Sequence, residues 1–150
     1  MKYPKQAMRI HSTLIALAGL GIAASAHAEG PDFEKDVWPF VKNSCVKCHQ
    51  PEHKDERGRT RRPKGDLVIT NKEAFAKGGE DGEVVVAGKP EDSSFLQRTM
   101  LPLDHDDHMP PEGKADQWTD EQKKIFEEWI KAGADFGAWE RDAEVDIKDE

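Results

Sequence analysis

Cys45-Val46-Lys47-Cys48-His49 constrains this chain more than any other stretch. Two thiols three residues apart can add across the two vinyl groups of a haem, and the histidine directly after them can coordinate the iron from one side. This spacing is that of c-type haem attachment. These are the only two cysteines in the chain, so no thiol is left for another use. Two other readings compete. A redox-active Cys-x-x-Cys of the thioredoxin kind belongs in a βαβ context, which the flanking residues lack. A closed zinc site takes four ligands, and no second pair motif supplies the rest. The pattern predicts one covalent haem c per chain, tethered by Cys45 and Cys48, with His49 as first axial ligand.

The first 28 residues stand apart from any fold argument. Lys2, Lys5 and Arg9 give a positive start, Leu14 to Ala24 is apolar, and Ala26-His27-Ala28 has the small-x-small form of a cleavage site. Together they predict a secretory signal peptide over residues 1–28. The apolar run is too short for a membrane span, which takes about 20 residues, so no span is expected after cleavage. Periplasmic or other export agrees with the cysteines, because c-type haem is attached after translocation, where free thiols otherwise tend to oxidise.

The 150 residues suit one domain. The chain carries a formal charge of −8, and removing the signal segment makes the remainder more acidic by three charges, so nucleic acid is an unfavourable partner. With 35% of residues charged, the apolar share is modest, and a covalently held porphyrin is expected to fill much of the core. The expected organisation is a domain over residues 29–139 followed by a flexible acidic tail, 140–150.

Phe33, Val37, Phe40 and Val41 recur at helical intervals, with Pro39 either kinking that helix or restarting it. Residues 50–64 are polar and rich in breakers. They hold the one basic cluster, from Lys54 to Lys64, which reads as a solvated loop or as cations for a haem propionate or an acidic redox partner. Leu67-Val68-Ile69 suggests an extended segment. Asn71 is an N-cap for a short helix through Lys77, stopped by Gly78-Gly79. Glu83 to Ala87 is β-prone. A helix after Pro90 is expected to turn Phe95, Leu96 and Met100 inward. Thr119-Asp120-Glu121-Gln122 is a capping box; the helix it opens places Ile125, Phe126, Trp129 and Ile130 on one face and stops at Gly133.

What fills the face of the iron opposite His49 decides between electron transfer and chemistry on a bound small molecule. Candidates are Met100, Met109, His105 and His108. His53 lies too near His49 to reach across the ring, and Met8 leaves with the signal peptide. Met109 precedes Pro110-Pro111, which favours a stiff, extended loop; His105 and His108 flank that loop.

The order of Asp36-Val37-Trp38-Pro39, Cys45 to His49, Lys64-Gly65, Lys77-Gly78-Gly79-Glu80, Gly88-Lys89-Pro90-Glu91-Asp92-Ser93, Met109-Pro110-Pro111 and Trp129-Ile130-Lys131-Ala132-Gly133-Ala134 resembles the planctomycete-type cytochrome c domain, over about Phe33 to Phe136. Asp66, where a second glycine is common, and the arginine-rich stretch before it depart from the pattern. The resemblance implies a mostly α fold, a small class I-like helical domain wrapped around one covalent haem, with short extended segments and long loops. It carries the distal ligand onto Met109 and the proximal ligand onto His49. The function it implies is one-electron transfer between exported redox proteins, a donor and an acceptor, rather than catalysis. The other readings are a haem peroxidase or gas sensor with an open distal face, served by His105 or His108, and a haem-bearing subunit of a larger enzyme.

Overall fold

The computed structural model describes residues 30–141. The signal segment and the last nine residues of the expected acidic tail lie outside the described residues. Near the start, Asp32 accepts a hydrogen bond from the Lys35 N–H at 2.9 Å and caps a π-helical turn, Phe33–Val37, that runs directly into α1, Trp38–Cys45. Pro39 occupies the first turn of α1. In a regular α-helix its ring would strike the carbonyl four residues back; the wider turn before it relieves that clash, so the proline restarts the helix.

Residues 50–64, expected as loop, include a short antiparallel ladder of β1, His53–Lys54, and β2, Thr60–Arg61. Asp55 organises it: its carboxylate accepts from the N–H groups of Arg57 (3.0 Å) and Arg59 (2.9 Å) and from the guanidiniums of Arg59 (2.8 Å) and Arg61 (3.0 Å). Arg62 pairs with Glu52. Three arginines of the basic cluster are thus held by local carboxylates. Helix α2, Lys72–Lys77, begins at Asn71, whose side chain accepts from the Ala74 N–H at 2.7 Å, and ends at Gly78. Gly78 has φ +82°, and a Cβ there would collide with the Gly82 carbonyl, so only glycine fits this close crossing.

The β-prone stretch Glu83 to Ala87 forms no strand. Residues at the start of the next helix take up its polar groups instead: Val84 O accepts from the Phe95 N–H at 2.9 Å, and the Val86 N–H donates to the buried Ser93 hydroxyl at 2.9 Å. With no neighbouring strand to pair with, β propensity yields to these contacts. A 3₁₀ turn, Pro90–Asp92, leads into α3, Ser94–Met100. Phe95 and Leu96 face inward as expected, but Met100 does not; it is 49% exposed.

Helix α4, Asp120–Lys131, has the full capping box: the Gln122 N–H donates to Thr119 Oγ1 at 3.2 Å, and the Thr119 N–H donates to Gln122 Oε1 at 2.9 Å. Its apolar face packs on the Phe33–Val37 turn and on α3. The core between these elements is a network of rings. All six phenylalanines and all four tryptophans of the chain belong to one connected set of contacts, with Phe33 touching Trp129 at 4.9 Å, Phe136 at 4.7 Å and Trp139 at 4.7 Å between centroids. Large rings, each burying more area than an aliphatic side chain, let a highly charged chain build a core. The fold is mostly α, as expected. No helix among the described residues is long and apolar enough to cross a membrane.

Candidate haem-binding site

Helix α1 ends at Cys45 and the chain turns at once. The Cys48 N–H donates to Cys45 O at 3.2 Å, and the His49 N–H is shared between Cys45 O (3.2 Å) and Val46 O (3.0 Å). Val46, fully buried, anchors the turn. Two thiols and an imidazole are thereby gathered within one turn of chain. Two longer-range bonds fix the turn from outside: the Lys64 N–H donates to Cys48 O at 2.9 Å and the Ile69 N–H to His49 O at 3.0 Å. The extended segment expected at Leu67 to Ile69 is therefore the strap that closes the loop begun at His49.

Both cysteines are free thiols, Cys45 half-buried and Cys48 exposed. Burial pushes the Cys45 thiol up to about 12, with Cys48 adding in the same direction, so its neutral form is strongly favoured. His49 is half-buried, and its Nδ1 is buried with no hydrogen-bond partner. Burial holds its imidazole below the usual histidine range; the backbone of Leu67 and Lys64 pulls the other way, and the Arg98 guanidinium adds to the lowering.

Met109 lies on the separate loop after α3. It is half-buried, the Met109–Pro110 peptide is cis, and its N–H donates to Arg98 O at 3.1 Å. The Arg98 carbonyl holds the Met109 backbone, and the Arg98 guanidinium pairs with Asp107 at 3.3 Å.

The two flanking histidines differ. His105 is exposed, and its Nδ1 accepts the Asp107 N–H at 3.0 Å. His108 is 6% exposed, with Nδ1 2.8 Å from Leu101 O and Nε2 2.7 Å from Gln117 Oε1. Both ring nitrogens of His108 thus have close oxygen neighbours. His53 is engaged through Nδ1 with Pro51 O at 3.0 Å. Sequence reasoning passed over Arg98 and Gln117, because each acts through partners distant along the chain and belongs to no motif.

Residues 45–113 match the family described as Planctomycete cytochrome C. This match supports a planctomycete-type cytochrome c domain over residues 45–113. The matched stretch opens on the first attachment cysteine and closes just past Met109-Pro110-Pro111, so both motifs fall inside it and α4 falls outside. No curated protein and no solved structure matches the chain.

A cytochrome c domain implies haem c and a haem-based redox role, and the residues present fit that group. Cys45 and Cys48 are free thiols beside an imidazole whose buried nitrogen has no protein partner. Among the described residues no cluster of three or more His, Cys, Asp and Glu side chains is gathered to hold an ion directly. His49 would hold the iron of a haem, whose porphyrin would supply most of the other ligands.

Proposed function

We propose that this cytochrome c domain is an exported electron carrier with one haem c, passing single electrons between redox proteins of the periplasm. Cys45 and Cys48 would tether the haem through thioethers, and His49 and Met109 would supply the two axial ligands. When bound, the haem supplies an iron that accepts and returns one electron. The protein's part is to fix the ligands and set the potential. A thioether ligand stabilises the ferrous state relative to a second imidazole and raises the potential.

The observation that carries this reading is the family match, which spans the attachment turn and the Met-Pro-Pro loop together. A peroxidase needs an acid/base group beside an exchangeable position on the iron; both His108 nitrogens have close oxygen neighbours, which leaves that role to the exposed His105.

The test is the optical spectrum of ferric protein matured with haem, taken for the natural chain and for Met109→Ala. A low-spin spectrum with the weak far-red band of sulfur ligation, lost in Met109→Ala, is the expected result. A high-spin spectrum that takes up cyanide at once, indifferent to the substitution, would overturn the assignment.

A further inference from the structure

We propose that His108 and Gln117 form a clamp that positions Met109, setting how firmly its sulfur stays on the iron; this rests on the reading of Met109 as distal ligand. The backbone around Met109 is held at three successive points. Before it, His108 lies with Nδ1 2.8 Å from Leu101 O and Nε2 2.7 Å from Gln117 Oε1; both oxygens accept, so the neutral ring, with one N–H, donates to one of them. At it, the N–H donates to Arg98 O (3.1 Å). After it, Pro110 O accepts from Gln117 Nε2 at 2.9 Å. One side-chain amide thus grips the residues on both sides of Met109. Its orientation is set by Pro110 O, which needs an N–H opposite it.

The burial of His108 and Pro110 makes these bonds consequential. A buried carbonyl that loses its donor bears the desolvation cost in full, so the loop resists motions that would carry Met109 away. Gln117 lies on the exposed segment before Trp118, and nothing in its own surroundings requires an amide except the two contacts named. His108 and Gln117 act through Met109 and are positioning residues.

The experiment measures how fast added imidazole replaces the sulfur on the ferric, haem-loaded protein, a rate limited by departure of Met109. Gln117→Leu severs both amide contacts at an exposed position, and His108→Phe keeps the ring volume without its nitrogens. Each is expected to speed displacement about tenfold, the scale of one or two buried hydrogen bonds lost. The double variant is expected to be no more than slightly faster than the quicker single one, because the two substitutions remove a shared bond. Ile130→Val, a core change on α4 away from the loop, controls for general loss of stability. Displacement in Gln117→Leu no faster than in Ile130→Val overturns the clamp, and that variant alone suffices should His108→Phe not fold. Loss of the far-red band in Met109→Ala together with unchanged rates in the clamp variants removes the clamp only; an unchanged spectrum in Met109→Ala removes the ligand reading and the clamp with it.

Discussion

The Ile69 N–H donates to the His49 carbonyl oxygen at 3.0 Å, and Ile69 itself is fully buried. One residue therefore supplies both the strap that holds the attachment turn and part of the core beneath it. Ile69→Ala keeps the backbone bond and removes the packing. It is expected to cost about 2–5 kcal/mol, read as a lower midpoint in chemical denaturation with little change in slope. A loss below about 0.5 kcal/mol would mean that the strap is held by its backbone bonds alone.

Trp129 sits among Phe33, Phe126 and Phe136, with centroids 4.9, 5.2 and 5.1 Å away, and its Nε1–H donates to Asp135 O at 2.8 Å. Trp129→Ala should cost about 3–5 kcal/mol. Trp129→Phe, which keeps a ring and loses the hydrogen bond, should cost less than the alanine change. Thermal melts of the pair separate packing from hydrogen bonding.

Asp55 gives the fold an acid-sensitive hairpin. Burial opposes ionisation of its carboxyl, but the Arg59 and Arg57 N–H groups and the Arg59 guanidinium outweigh that and hold it well below the usual carboxylate range. A depressed folded pKa stabilises the folded state above the unfolded value of about 3.9, and the contribution fades as the pH falls below it. Melts of the natural chain and Asp55→Asn should differ most near neutral pH, with the gap shrinking progressively as the pH falls below about 4. A gap that stays constant across that range would show that ionisation of Asp55 contributes nothing.

Asp104, Asp106 and Asp107 lie just before Met109 on its exposed loop. Negative charge close to the iron favours the ferric state, so replacing all three by asparagine should raise the midpoint potential in a potentiometric titration. Asp107 is partly offset by Arg98, and Asp107→Asn alone should therefore shift the potential less than one third of the triple change. An unchanged potential in the triple variant would assign these acids to solubility.

The features legible in the sequence were those whose chemistry is local. Asn71 with Gly78, and Thr119 with Gln122, mark helix ends because their side chains or backbone freedom act within one turn. The attachment turn was legible for the same reason, since thiols and imidazole must be close in sequence to serve one haem. Glu83 to Ala87 misled because a strand needs a neighbour, and Ser93 and Phe95 took its hydrogen bonds instead. The hairpin over β1 and β2 was hidden because it depends on the carboxylate of Asp55 gathering Arg59 and Arg61 across the turn. His108 and Gln117 stayed obscure because one amide spans both sides of Met109, a juxtaposition that exists only after folding.

The joining of Trp38, Trp118, Trp129 and Trp139 into a single web of rings has an optical consequence. Their emission should behave as one signal, bright in a colourless polypeptide and quenched by energy transfer once an absorbing group is bonded to Cys45 and Cys48. Fluorescence of the unlabelled chain would then track maturation in real time, with no added dye and no substitution.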